Sequence, residues 1–118
     1  MTPARAGFER LLASGKDGAL LRFALGNECL KAGEALAAAG HFERAVAFDP
    51  QYTAAWKLYA KALADADRAR DALDAYEKGI AVAQHRGDKQ AEKEMRVFAR
   101  RLARALDGEA TNKSDESP

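Results

Sequence analysis

Apolar side chains recur along this chain at intervals of three and four residues, in six segments separated by short stretches rich in glycine and charged residues. This spacing places the apolar positions on one face of an α-helix. Leu21, Leu25 and Cys29, for example, fall on a single stripe of the second segment. Long runs of valine or isoleucine, which would favour a β-sheet, are absent from the sequence. The pattern predicts an all-α domain of about six antiparallel helices.

Residues with special backbone preferences predict where these helices begin and end. Gly33 and Gly87 permit left-handed turns after the second and fifth helices. Asp49-Pro50 ends the third, because the residue before a proline disfavours helical geometry. Thr53 and Asp88 have side chains that can cap the fourth and sixth helices. The predicted helices cover about residues 2–14, 18–32, 34–48, 53–64, 68–85 and 88–106.

One pattern of large and small side chains occurs twice along the sequence, at a constant offset. Large positions correspond to large ones and small positions to small ones, at helical spacing. A fixed period of about 34 residues is typical of stacked helix–turn–helix units, each of which needs a neighbour to bury its apolar face. The matched pairs are Leu25 with Tyr59, Gly26 with Ala60, Cys29 with Leu63, Ala38 with Ala72, Phe42 with Tyr76, Ala45 with Gly79 and Val46 with Ile80.

The two units resemble the tetratricopeptide repeat (TPR) family, whose unit is a helix–turn–helix of this same period. The resemblance covers roughly residues 19–86 and implies an α-α superhelix with repeats at about 19–52 and 53–86. A helix precedes the repeats and a capping helix follows at about 88–106, so we expect one domain over residues 1–106. Residues 107–118 lack apolar periodicity and predict a disordered tail. The positions that carry the resemblance are Leu25, Gly26, Gly33, Ala38, Phe42, Ala45 and Pro50 in the first unit, and Trp56, Tyr59, Ala60, Leu63, Ala72, Tyr76 and Ile80 in the second.

The resemblance also implies a concave surface, lined by the first helix of each unit, that usually holds a peptide in this family. Here that surface would be lined by Phe23, Asn27, Leu30, Lys57, Lys61 and Ala64. Two ammonium groups one turn apart, beside apolar side chains, predict a non-catalytic module that binds a peptide or helix with acidic residues or a free carboxylate. In an alternative arrangement, Phe23 and Leu30 pack on the N-terminal helix through Phe8, Leu11 and Leu12, and the chain itself partly occupies the groove.

The last predicted helix carries a basic face. Arg96, Arg100 and Arg104 recur every four residues, and such a face can contact phosphate or an acidic partner. The alternative is a solvated face with internal pairs, such as Glu92 with Arg96. No aromatic residues interleave with these arginines on the exposed side, which disfavours nucleic acid and leaves an accessory role in nucleic-acid binding as the weakest alternative for this face. The exposed stripe of a terminal helix could also pair with itself, and we expect a monomer or a weak homodimer.

Composition removes several other functional classes. The net charge of +1 gives no overall attraction to nucleic acid or an anionic membrane. One cysteine and two histidines form neither a disulfide nor a metal-ligand motif. Without a phosphate loop, a paired-carboxylate signature or a serine nucleophile motif, we expect no enzyme activity, no cofactor and no small-molecule substrate. The first residues lack the apolar core of a secretory signal, and no stretch could span a membrane, so we expect a cytoplasmic protein.

Overall fold

The computed structural model describes the backbone of residues 2–115 and the side chains of residues 2–109. This part of the chain contains six α-helices and no strand, which confirms the all-α prediction. The helices are α1 (Pro3–Ala13), α2 (Ala19–Lys31), α3 (Ala35–Phe48), α4 (Thr53–Asp65), α5 (Ala69–Arg86) and α6 (Lys89–Asp115).

The helices stack in chain order, each packed against the next one. Short connections make consecutive helices antiparallel, so α2–α3 and α4–α5 are helical hairpins. These hairpins lie within the predicted repeats, whose bounds at 19–52 and 53–86 stay a prediction. The backbones of α2, α4 and α6 approach one another in series, whereas no Cα of α3 lies within 8 Å of a Cα of α5. The stack therefore curves, with α2, α4 and α6 on its inner side.

The helix ends agree with most of the predicted signals. Gly33 and Gly87 both have left-handed backbones, with φ of 76° and 72°. The Asp88 carboxylate accepts a hydrogen bond of 3.1 Å from the backbone N–H of Ala91. The predicted cap at Thr53 is wrong: Thr53 is the first residue of α4, and its buried hydroxyl has no hydrogen-bond partner among the described residues. Its side chain turns towards the core instead of the helix end.

The small positions of the repeat are sites of close helix approach. A Cβ placed on Gly26 of α2 would lie 2.6 Å from the ring of Phe42 on α3, a side chain with no exposed surface. A Cβ on Gly79 of α5 would lie 2.7 Å from the sulfur of Met95 and 3.0 Å from the Cβ of Trp56. Gly79 therefore lets α5 contact α4 and α6 at the same level. This contact explains a glycine in a helix interior, where it costs about 1 kcal/mol relative to alanine.

The last helix is more than a cap. Met95 is fully buried, and the ring of Phe98 stacks on that of Tyr76 at 5.8 Å between centroids. The helix continues to Asp115, well beyond the predicted end at Leu106. Residues 107–115 are therefore helical rather than the predicted disordered tail, because no proline interrupts them and the one glycine does not break the helix. Residues 116–118 of that predicted tail lie outside the described residues.

Polar contacts hold α1 against the first hairpin. The Arg5 guanidinium donates to both carboxylate oxygens of Glu34, at 2.5 and 3.2 Å, and this pairing lowers the pKa of Glu34. Near the start of α2, Arg22 pairs with Asp17 of the preceding loop at 2.8 Å. None of the residues of α1 is fully buried. The helix is thus an adjunct to the stack rather than part of its core.

Candidate interaction surface

The inner face of α2 lies opposite its buried stripe. Leu20, Ala24, Asn27 and Lys31 follow one another at intervals of four, three and four residues and share this face. Leu20 is 76% exposed, the largest exposure among the exposed large apolar side chains. Asn27 is half-buried, and its side chain makes no hydrogen bond to another residue in the described part of the chain. Asn27 therefore lies where the sequence placed it, but Leu20 was missed.

All three apolar side chains predicted for the groove belong to the packing between helices. The ring of Phe23 lies edge-on to Phe42, at 5.8 Å between centroids, and 4.8 Å from the ring of Tyr52. Leu30 packs against the buried core, as does Ala64 of α4. Phe23 therefore joins α2 to α3 and to the loop before α4. These side chains are partly buried between helices, so they stabilise the inner face and expose little surface to a ligand.

Both predicted lysines already have carboxylate partners within the chain. The ammonium group of Lys57 donates to Glu94 of α6, which lowers the pKa of Glu94. The amide of Gln90 also donates to Glu94, at 3.2 Å. Lys61 pairs with Asp65 one turn away, at 3.1 Å. The sequence does not reveal the contact between Lys57 and Glu94, because 37 residues separate them. The inner surface therefore does not present two free ammonium groups.

The inner surface continues onto α6, for which the sequence analysis predicted a capping role and a basic face but no part in the groove. Gln90, Glu94, Val97 and Arg101 share one face of α6 at the same spacing as the α2 set. Three of them line an open recess together with Lys89 and Lys93. Three helices, rather than two, thus contribute to the surface that could receive a ligand.

Comparison with known proteins agrees with this architecture. A TPR repeat-containing protein of Pseudomonas aeruginosa is 54% identical over 99 residues, which cover 84% of this chain and 94% of that protein. The chain belongs to the tetratricopeptide repeat family. The resemblance drawn from the repeated residues is confirmed. No family model matches this tetratricopeptide repeat protein.

Solved structures of other bacterial proteins share the fold of this tetratricopeptide repeat protein. A protein of Bordetella parapertussis, solved in solution, is 43% identical with a TM-score of 0.75, covering 89% of this chain and 91% of its own. A tetratricopeptide repeat domain protein from Salinibacter ruber, solved by crystallography, is 31% identical with a TM-score of 0.67. The match covers 74% of this chain and 97% of that one. The α-α superhelical fold is thus shown by solved structures as well as by the residue pattern.

The reactive side chains of this tetratricopeptide repeat protein are arranged for packing. Cys29 has no exposed surface, and burial raises the pKa of its thiol, which disfavours the nucleophilic thiolate. In the described part of the chain, no three His, Cys, Asp or Glu side chains are placed to hold a metal ion. Nor is any described helix both long enough and apolar enough to cross a membrane. The inner surface itself offers apolar contacts, hydrogen bonds and the exposed charges of Lys61, Lys93 and Arg101.

The basic face of α6 adjoins the inner surface, since Lys89 and Lys93 line recesses on both. Arg96 pairs with Glu92 at 2.9 Å, as the internal-pairing alternative predicted. Arg100 and Arg104 are exposed, and neither forms an ion pair with another described residue. Glu92 therefore neutralises the charge of Arg96 at the N-terminal end of this face, whereas the charges of Arg100 and Arg104 have no partner among the described residues.

Proposed function

We propose that this tetratricopeptide repeat protein is a non-catalytic interaction module that binds a peptide or helix of a protein partner on the inner surface formed by α2, α4 and α6. The exposure of Leu20 carries the proposal. Fully burying a leucine is worth about 1.5–3 kcal/mol, and this side chain stands 76% exposed on the inner face of α2. Asn27, two turns away, has an amide that can hydrogen-bond a ligand backbone.

The roles of the predicted site residues differ in this proposal. Asn27 and Lys61 reach the ligand from the inner face, and Lys61 can leave Asp65 because exposed pairs contribute less than about 1 kcal/mol. Phe23, Leu30 and Ala64 pack against the core and so fix the distance between the helices that form the binding surface. Lys57 fixes α6 beside α4 through Glu94. With these charges balanced inside the chain, apolar and hydrogen-bonding contacts select the ligand, and an acidic ligand is not required.

Two exposed leucines allow a matched test. The tagged full chain is used to isolate a partner from extract of the source organism, and the partner is then purified and titrated against variants by calorimetry. Leu20→Glu should weaken binding by about tenfold or more, since it removes about 1.5 kcal/mol of apolar contact. Leu36→Glu should leave binding unchanged, because Leu36 is 63% exposed on α3, which faces away from the inner surface.

Two outcomes would contradict the proposal. Equal affinity of the Leu20→Glu variant and the unchanged chain would show that the inner face of α2 does not receive the partner. A homodimer that survives dilution in sedimentation equilibrium, and that Leu20→Glu dissociates, would show that Leu20 serves self-association instead. A monomer with selective loss of partner binding supports the proposal.

A further inference from the structure

The outer side of the last hairpin contains an open groove between α5 and α6. Its floor is apolar and is formed by Leu73 and Ile80 of α5 with Ala99 and Ala103 of α6. In the first unit Ala39, at the repeat position of Leu73, is only 4% exposed, whereas Leu73 is half-buried. Val46 and Ile80 share the next position and are both buried, at 6% and 9%, so Leu73 is the floor residue that the end of the stack uncovers. The stack ends at this groove, because no further helix packs there within the described residues.

The two rims of the groove have opposite charge. Arg96 and Arg100 stand on the α6 side, and Glu77 stands on the α5 side. Lys89 and Lys93 extend the basic rim through an adjoining recess that also contains both arginines and Glu92, the ion-pair partner of Arg96. Arg100 has no ion-pair partner among the described residues, so its charge is available to a ligand.

We propose that this groove binds an amphipathic helix of a protein partner, with an apolar stripe on the groove floor and an acidic flank against Arg96 and Arg100. The floor has the spacing that a helix requires, because Leu73 and Ile80 are two turns apart and Ala99 and Ala103 are one turn apart. Small alanines on the α6 side allow the close approach of a second backbone. A partner helix of about three turns would cover the floor, since each turn rises about 5.4 Å.

Charge distinguishes this occupant from two others. Two copies of the chain that paired through this groove would bring together eight cationic side chains of the groove and its adjoining recess with only four glutamates, an unbalanced arrangement that like-charge repulsion disfavours. A single-stranded nucleic acid would need aromatic rings for base stacking, and none lines the groove. An acidic amphipathic helix satisfies both the floor and the basic rim. The groove floor lies on a different face of α6 from the inner surface, although Lys89 and Lys93 border both, so the proposal does not depend on the proposed function.

The test uses the ¹⁵N-labelled full chain and a synthetic helical peptide of about five turns. The peptide carries leucines at intervals of four and three residues, glutamates on one flank and lysines on the other. Titration monitored by NMR should shift the amide signals of Leu73, Ile80, Ala99 and Ala103 in a saturable manner. Arg100→Glu should weaken binding by about fivefold, because it turns one exposed attraction into a repulsion. Arg44→Glu is the matched control on α3, where Arg44 lies over the ring of Phe48, and it should leave binding unchanged.

A second variant tests the floor without disturbing the charges. Ala103→Gln keeps a good helix former at a half-buried position but fills the groove, so it should also weaken binding while leaving the thermal melt unchanged. The proposal is overturned if a peptide with lysine in place of every glutamate binds as tightly. It is equally overturned if the shifts fall on the inner surface, if the chain alone shows concentration-dependent shifts at these residues, or if a short RNA perturbs them as strongly as the acidic peptide.

Discussion

The approach of α2 to α3 at Gly26 predicts that one added methyl group destabilises the protein. In Gly26→Ala the new Cβ would lie 2.6, 2.7 and 2.8 Å from three carbons of the Phe42 ring. The ring is fully buried and is held from another side by Phe23. It cannot rotate away, so the two helices must separate or the ring must leave its preferred rotamer.

The expected magnitude follows from two opposing effects. Overpacking a core costs about 1–3 kcal/mol, and three contacts this short place Gly26→Ala near the upper value. Replacing a glycine in a helix interior by alanine returns about 1 kcal/mol. The net loss is therefore about 2 kcal/mol of unfolding free energy, or a fall in Tm of about 8 °C for a domain of this size.

A second glycine supplies the control. Gly40 lies inside α3, and a Cβ placed there would have no neighbour within 4 Å. Gly40→Ala should therefore gain the helix-propensity effect alone and raise stability by about 1 kcal/mol. Urea denaturation followed by circular dichroism measures both variants. If Gly26→Ala is as stable as Gly40→Ala, α2 and α3 do not approach as closely as described, and the role of the small residues in the repeat is refuted.

Three other predictions concern α6 and the first hairpin. Met95→Ala should cost about 3 kcal/mol in chemical denaturation because Met95 is fully buried, and a loss below about 1 kcal/mol would make α6 a detachable cap. A double-mutant cycle of Lys57→Gln and Glu94→Gln should give a coupling below about 1 kcal/mol, since the two side chains are 36% and 38% exposed; a larger coupling would indicate a buried pair. Burial and the Arg22 charge lower the pKa of His41 below 6.5, so folding disfavours its protonation and stability should fall as the pH drops through that value. His41→Gln should flatten this part of the stability–pH curve, and an unchanged curve would assign the decline to other groups.

Much of the fold could be predicted from the sequence because the signals that fix it are local. Helical periodicity selects the buried face, and glycine marks the turns at Gly33 and Gly87. The repeated small residues also predict which helices approach each other closely, as α2 and α3 do at Gly26. The end of α6 was harder to predict, since polar residues without apolar periodicity can still extend a helix whose start is anchored by packing.

The candidate site was less predictable because its properties arise between helices. Lys57 gains a carboxylate partner from α6 only when the stack curves. Phe23 is adjacent to the inner face along the helix, but the rings of Phe42 and Tyr52 draw it into the packing. Leu20 could have been found from the sequence, because it shares the face of Asn27 at helical spacing and lies opposite the core stripe.

The central claim is that a protein partner binds the inner surface of the stack. Its most direct test is an NMR titration of the labelled full chain with the purified partner. The account predicts saturable shifts at Leu20, Ala24, Asn27 and Lys61, with small shifts along the outer face of α3. Shifts confined to the outer face of α3, with the signals of α2 and α4 unchanged, would contradict it.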